Sequence, residues 1–243
     1  MSRKLVIAVS GKRGSGKNTF VNQVVARYLN EHDGDRYTVT KFGVCEPDIP
    51  DEVLNQYGVA YTAFADPLKR FCIQVMGLSP SQCYGTDDDK NTLTKVKWDA
   101  LPQSIRGDRT GYMTAREVMK VFGTDVVRAW VANGWVDACH RHIQALDAKL
   151  VVISDVRFPN EANMFVDYRQ DEQSSDIVKL VRLSRSPYHD THESEIALDD
   201  YPTDRYDLVV PDCDGVDSQW ECISPYVEQW LAEAGLISLE AGK

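Results

Sequence analysis

The most constraining feature of this chain is a glycine-rich segment that lies between an apolar run and a helical pattern. The apolar run, residues 5–9, is short and rich in β-branched side chains, as buried parallel strands are. Hydrophobic residues then recur with helical spacing over residues 18–30. Residues 11–17, between them, match the pattern G-x-x-x-x-G-K. Strand, glycine loop and helix in this order predict a βα unit that holds phosphate groups at the start of its helix.

The residues of this loop have different expected roles. Its glycines let the backbone curl so that successive N–H groups point at phosphate oxygens. Lys17 is expected to reach the β- and γ-phosphates of ATP. Asn18 replaces the usual Ser or Thr ligand of Mg²⁺, so that its carbonyl oxygen, or Thr19, would ligate the metal. The predicted nucleotide-binding residues are Gly11, Lys12, Arg13, Gly14, Ser15, Gly16, Lys17, Asn18 and Thr19, with Lys17 and Arg13 expected to be catalytic.

Composition narrows the class of protein. The chain has 243 residues, enough for one α/β domain, and a net charge of −10, which argues against a general nucleic-acid binder. A small anionic ligand remains compatible with that charge, because a local basic cleft can lie within an acidic surface. No apolar run reaches membrane-spanning length and there is no signal-peptide pattern, so a cytoplasmic protein is expected. The six cysteines form no CxxC pair and are interpreted as reduced structural thiols.

Further strands and helices alternate along the chain. Strands are predicted at residues 150–154, 177–183 and 208–210, with two weaker candidates at 37–42 and 62–66; helices are predicted at 67–76, 115–122, 125–146 and 219–234. This alternation predicts an α/β fold with a parallel, doubly wound sheet. Residues 31–62 are interpreted as an irregular insertion, and residues 79–112 as a long loop without regular structure. We expect a single domain over residues 1–243.

An acidic residue follows the second buried run. Asp155 is expected at the carboxyl end of its strand, where open α/β sheets place ligand-contacting groups; the alternative is an aspartate that only caps the following turn. No glutamate follows it to activate water, which favours phosphoryl transfer over hydrolysis. Arginines follow on separate elements, as transfer between two anions requires: Arg70, Arg116, Arg128, Arg157, Arg182 and Arg185. Arg157 is expected to be functional, whereas Arg70 and Arg182 are interpreted as surface residues.

Five blocks of sequence carry a family resemblance: residues 10–19, 65–69, 116–125 with a Phe-Gly-Thr-Asp ending, 153–157 with Glu161, and 190–192 with Glu195. Together they resemble the bacteriophage-type deoxynucleoside monophosphate kinases. The resemblance implies a three-layer P-loop kinase fold with a helical acceptor-binding insertion at about 79–146 and a lid region at about 184–205. It also implies ATP as donor, Mg²⁺ as cofactor and, for a phage-encoded protein, the host cytoplasm as location.

The same resemblance implies roles for particular residues. The monophosphate site would include Asp66, Lys69, Arg116, Gly123, Thr124 and Asp125, with Trp135 stacking on the acceptor base. Trp130 is an alternative for stacking, and core packing is an alternative for both tryptophans. Asp155, Arg157 and Glu161 would hold the acceptor or order the transferring phosphate, with catalytic roles for the first two. Arg185, His192 and Glu195 would belong to the lid near the nucleotide.

The resulting hypothesis is in-line transfer of the γ-phosphoryl group from Mg·ATP to a deoxynucleoside 5′-monophosphate, giving the diphosphate. One alternative is a P-loop kinase of another small phosphorylated acceptor, such as phosphomevalonate or dephospho-coenzyme A. Another is a regulatory P-loop ATPase or switch that uses residues 79–112 as a docking surface. The expected partners are small nucleotides, without nucleic acid or membrane, and the sequence leaves open whether two copies form a homodimer.

Overall fold

The structure, a computed structural model, describes residues 3–34, 37–39, 45–46, 49, 51–188 and 193–238. The chain divides into two compact units. The first comprises Met1–Ala63 and Ile143–Lys243, and the second is Phe64–His142. The second unit covers most of the segment predicted to be an acceptor-binding insertion, residues 79–146, but begins earlier.

The strands and helices are numbered in chain order. The strands are β1 (Leu5–Gly11), β2 (Thr38–Val39), β3 (Cys45–Glu46), β4 (Val59–Thr62), β5 (Leu93–Lys97), β6 (Tyr112–Thr114), β7 (Leu150–Val156), β8 (Ile177–Leu183) and β9 (Leu208–Val210). The α-helices are α1 (Lys17–Asp33), α2 (Asp51–Tyr57), α3 (Asp66–Gln74), α4 (Pro80–Tyr84), α5 (Asp87–Lys90), α6 (Gln103–Arg106), α7 (Ala115–Lys120), α8 (Gly134–Ala145), α9 (Pro159–Gln170), α10 (Glu193–Ile196) and α11 (Val216–Glu233). Short 3₁₀ helices span Trp98–Ala100 and Thr203–Arg205, and a π-helix spans Val121–Arg128.

The first unit is built on a five-stranded parallel sheet in the order β4-β7-β1-β8-β9. Strand β1 lies in the centre, and Leu5 pairs with Leu150 on one side and with Ile177 on the other. All seven residues of β1 are buried, as expected for a strand that is covered on both faces. The short strands β2 and β3 form a separate antiparallel pair.

Helices cover both faces of this sheet. Because side chains alternate along a strand, Ile7 and Val9 point to one face, where they join the buried residues of α1 and α11 in one cluster. Helix α9 packs against β8, and its buried residues lie outside that cluster, on the face to which Leu180 points. The prediction of a three-layer α/β fold with a mainly parallel sheet is therefore confirmed.

Several predicted boundaries need correction. The strands at 177–183 and 208–210 are confirmed, whereas those at 5–9 and 150–154 continue to Gly11 and Val156. The candidate strand at 62–66 is wrong, because α3 begins at Asp66 with a proline in its first turn and the chain must turn before it. Of the candidate at 37–42, β2 covers two residues, and residues 40–42 lie outside the described part of the chain.

The prediction of an irregular loop at residues 79–112 is wrong. Helices α4 and α5 are short, and each begins with a reciprocal capping box, formed by Ser79 with Gln82 and by Thr86 with Asp89. A capping box satisfies the free N–H groups at the start of a helix. Because these two helices are too short to show hydrophobic periodicity, the sequence pattern did not predict them. Strands β5 and β6 then pair antiparallel, and Trp98 is buried in the core of the second unit.

The predictions about the cysteines and about membrane segments can be compared with the described residues. Five cysteines of the described chain are free thiols: Cys72, Cys83, Cys139, Cys213 and Cys222. The side chain of Cys45 lies outside the described residues. Within the described ranges, no helix is long and apolar enough to cross a membrane.

Candidate active site

The phosphate loop is the turn between the central strand and the first helix. Strand β1 ends at Gly11 and α1 begins at Lys17, so the first N–H groups of the helix point into the loop. Gly16 caps the helix with a φ of 93°, a left-handed conformation that favours glycine. A Cβ at Gly16 would also lie 3.0 Å from the side-chain nitrogen of Gln219. The sequence signature therefore folds into the predicted strand, glycine loop and helix, and phosphate binding by this loop stays a prediction.

Lys17 is turned back onto its own loop. Its Nζ donates to the carbonyl oxygens of Gly11 at 2.7 Å and Lys12 at 2.8 Å. Burial lowers its pKa to about 8, with a further lowering from Arg157. An ammonium group that donates to two carbonyl oxygens in a partly buried site attracts an anion that reaches it.

This pKa predicts a reactivity that can be measured. In the nucleotide-free protein, the amine of Lys17 should lose its proton near pH 8, because the pKa is lowered from 10.5 to about 8. Acetic anhydride labelling, followed by mass spectrometry against pH, should show this midpoint for Lys17. The exposed Lys149 serves as the control, and its labelling should not change when ATP is added. Addition of ATP should move the Lys17 midpoint upwards, since phosphate charge favours the protonated amine; an unmoved midpoint would contradict phosphate binding at this lysine.

Asp155 and Arg157 lie at the carboxyl edge of the sheet, near this lysine. Strand β7 continues through Asp155 to Val156, and Arg157 follows directly. Arg157 lowers the pKa of Lys17, whereas Asp155 and Glu195 raise it, which is consistent with all three charges being close to the amine. The guanidinium of Arg157 forms an ion pair with Glu195. The structure thus brings together four predicted site residues, Lys17, Asp155, Arg157 and Glu195, from three distant segments of the chain.

Arg182 was interpreted as a surface residue, and that interpretation is wrong. Its side chain is 15% exposed, and it donates to Ser10 Oγ at 2.8 Å and to Asp199 Oδ1 at 3.2 Å. The missed signal is its place in the sheet: Arg182 is a charged residue near the carboxyl end of a buried strand and pairs in register with Ser10. The same reasoning that selected Asp155 therefore applies to Arg182.

Asp199 is a further residue that sequence reasoning missed. Its second oxygen accepts Lys12 Nζ at 2.8 Å, so the carboxylate bridges the phosphate loop and Arg182. It lies in an exposed turn after α10 and follows no motif. No sequence signal distinguishes it from the other surface aspartates.

Glu161 supports Arg157 through the backbone. One carboxylate oxygen accepts the N–H of Arg157 at 2.8 Å and that of Phe158 at 3.2 Å. The residue is 2% exposed, at the start of α9. These bonds fix the turn that follows β7 and therefore the position from which the Arg157 side chain departs. Direct contact of Glu161 with the acceptor stays a prediction.

A cleft of about 240 Å³ opens beside the phosphate loop. Its wall includes Gly16, Thr19, Arg185 and the loop before α11 that contains Cys213. Ser15 Oγ, which lines the same cleft, is buried and has no hydrogen-bond partner among the described residues. An orphaned hydroxyl inside a phosphate loop fits a site whose remaining acceptor is a ligand oxygen.

In the second unit, Arg116 is held by the segment around α5. Its guanidinium donates to Asp87 Oδ1 at 2.8 Å and Asn91 Oδ1 at 3.0 Å, and its side chain is 49% exposed. Lys69, from another predicted block, places its Nζ 4.4 Å from the centre of the Tyr84 ring. Asp66 is the first residue of α3 and is half-buried, whereas Thr124 is exposed.

The Phe-Gly-Thr-Asp block lies inside the π-helix. Trp135 Nε1 donates to the Gly123 carbonyl at 2.9 Å, which holds the indole against this helix. A Cβ at Gly123 would lie 2.7 Å from a Leu68 methyl group, so a larger residue there would displace the Leu68 side chain of α3. Asp125 is exposed, and the side chain of Trp130 is 83% exposed, which rules out core packing for Trp130. π-Helices are frequent at functional sites.

The predicted roles of His192 and of the magnesium ligands are not tested by the structure. His192 lies outside the described residues. In the part of the chain that the structure describes, no group of three or more His, Cys, Asp or Glu side chains is arranged to hold a metal ion. Magnesium ligation by Asn18 and Thr19 stays a prediction; Asn18 is exposed at the first turn of α1.

Comparison with known proteins found one similar sequence. No protein-family model matches the chain. The chain is 28% identical over 219 residues to a protein of Acanthamoeba polyphaga mimivirus named "Putative deoxynucleotide monophosphate kinase". The match covers 85% of this chain and 87% of the mimivirus protein. Together with the parallel α/β fold and its phosphate loop, this similarity supports a nucleotide kinase family for the chain.

Proposed function

We propose that the chain is a deoxynucleoside monophosphate kinase, which transfers the γ-phosphoryl group of ATP to a deoxynucleoside 5′-monophosphate. The observation that carries this proposal is the group of cations at the phosphate loop. Arg157 and Arg182 both lie near enough to Lys17 to lower its pKa. Transfer between two anions requires such neutralisation along its path. The acceptor class comes from the name of the mimivirus protein and from the sequence resemblance.

In this proposal the phosphate loop binds the donor. Its N–H groups and those at the start of α1 would donate to the phosphate oxygens, and Lys17 would leave the Gly11 and Lys12 carbonyls to contact the same phosphates. The cleft beside Gly16 would take the nucleoside part of the donor, with Arg185 at its wall. Magnesium, when bound, supplies charge neutralisation at the β- and γ-phosphates, and Asn18 and Thr19 would hold it directly or through water.

Position and charge would supply most of the rate. A phosphate acceptor is already a nucleophile, so proton abstraction contributes little and no general base is assigned. Arg157, fixed through Glu161, would stabilise the transferring group, and Asp155 beside it would orient the acceptor or the metal. Arg116, Lys69 and the residues of the Phe-Gly-Thr-Asp block would bind the acceptor.

An acceptor panel tests this function. The purified chain with Mg·ATP should release ADP in the presence of one or more deoxynucleoside monophosphates, at least about tenfold faster than without acceptor. Ribonucleoside monophosphates, phosphomevalonate and dephospho-coenzyme A complete the panel. A rate with a non-nucleotide acceptor alone would assign another small-molecule kinase, and equal turnover without any acceptor would assign an ATPase.

A further inference from the structure

A buried carboxylate is bound to the phosphate loop. Glu195 on α10 is 8% exposed. One of its oxygens accepts the backbone N–H of Arg13 at 2.6 Å, and the other pairs with the guanidinium of Arg157. A buried carboxylate is stable only when it is paired and hydrogen-bonded, and here both of its oxygens are.

A second carboxylate, Asp199, lies in the turn that follows α10. Asp199 joins Lys12 Nζ at 2.8 Å and the Arg182 guanidinium at 3.2 Å. Residues 195–199, named here the anionic segment, therefore engage one backbone donor and three cations of the site. The segment belongs to the same compact unit as the loop.

These partners are the groups that a phosphate chain would use. Backbone N–H groups of the loop, lysine and arginine are the usual donors to phosphate oxygens. In this structure Lys12, Arg157 and Arg182 each pair with a carboxylate of the anionic segment. Lys17 instead donates to the carbonyl oxygens of Gly11 and Lys12. The two carboxylates supply the negative charge that a ligand would otherwise bring.

Two anions cannot share these donors. The Arg13 N–H that Glu195 accepts has no second hydrogen to give, and like charges a few ångströms apart in a poorly solvated site repel strongly. Binding of phosphate and binding of the anionic segment are therefore opposed. For a ligand that binds only when the segment is released, the apparent dissociation constant equals the intrinsic one divided by the fraction of molecules in which the segment is released.

We propose that the anionic segment is an internal competitor for the phosphate site, which the triphosphate of the donor displaces through its own charge. Glu195 is the main competing group, because it is the more buried and reaches the loop backbone. The proposal rests on the proposed binding of a nucleoside triphosphate at the phosphate loop, and it does not depend on the identity of the acceptor.

Removing one charge from the segment tests this competition. Glu195→Gln keeps the shape of the side chain but loses the charge that holds Arg157. The apparent Kd of a fluorescent ATP analogue, titrated without acceptor, should fall about tenfold, which corresponds to one charge-assisted hydrogen bond. Asp199→Asn should lower it less, because that residue is exposed. Glu193→Gln, an exposed charge on the same helix, is the matched control and should change the Kd by less than about twofold.

Equal or weaker binding by Glu195→Gln would overturn the proposal and make Glu195 a residue that positions the loop. A second measurement uses the unmodified chain. Hydrogen exchange should slow at residues 13–19 when ATP binds and should quicken at residues 193–199; slowing at both would also overturn the proposal. Absence of any ATP binding by the unmodified chain would instead contradict the proposed kinase function.

Discussion

Replacement of Lys17 by methionine should lower the rate of phosphoryl transfer by about a thousandfold, the scale of losing a main electrostatic contact to the transferring group. Methionine has a similar length and no charge, so the loop keeps its volume and loses its cation. The measurement is ADP release with saturating ATP and the best acceptor of the panel. Direct titration with ATP then separates lost binding from lost catalysis.

The fold should survive this substitution. The pKa of Lys17 is lowered to about 8 in the folded chain, below the 10.5 of an unperturbed lysine. At pH 7 the charged amine therefore opposes folding, and this cost disappears only as the pH rises through 8 and beyond. Lys17→Met removes the cost, and its Tm should not fall. Lys149→Met, an exposed lysine of the same unit, is the activity control. Near-normal turnover by Lys17→Met would contradict the assignment.

Replacement of Arg157 by glutamine should lower kcat/KM by about a hundredfold, because one of the cations at the phosphate loop is lost. Glutamine preserves hydrogen-bonding capacity without the charge. A second readout locates the effect: since Arg157 lowers the pKa of Lys17, its removal should raise the labelling midpoint of Lys17 above pH 8. A purely structural role would leave that midpoint in place.

The matched control for this variant is Arg169→Gln. Arg169 is also an ion-paired arginine of the first unit, 2.6 Å from Asp207, but it lies on α9 and has no contact with the phosphate loop among the described residues. Its variant should keep full transfer activity. Equal losses in both variants would indicate a general effect of breaking an ion pair, and they would remove Arg157 from the mechanism.

Local patterns in the sequence predicted the central part of the site. The loop of residues 11–17 required glycine conformations and a buried strand before it, and both signals lie within about fifteen residues. The second unit was less predictable. Helices α4 and α5 depend on side-chain caps, and the π-helix at Val121–Arg128 includes Gly123, which packs against Leu68. Neither feature produces a hydrophobic periodicity that the sequence would show.

The sequence by itself determined the fold class, the phosphate loop with Lys17, and the strand-end pair Asp155 and Arg157. Hydrophobic alternation and glycine spacing encode these features locally. Only the tertiary structure decided what surrounds the loop. Arg182 contacts Ser10 across 172 residues of chain because β8 pairs with β1, and Glu195 reaches the Arg13 N–H across 182 residues. Such contacts depend on strand register and on the packing of distant segments, which residue patterns within one segment do not specify.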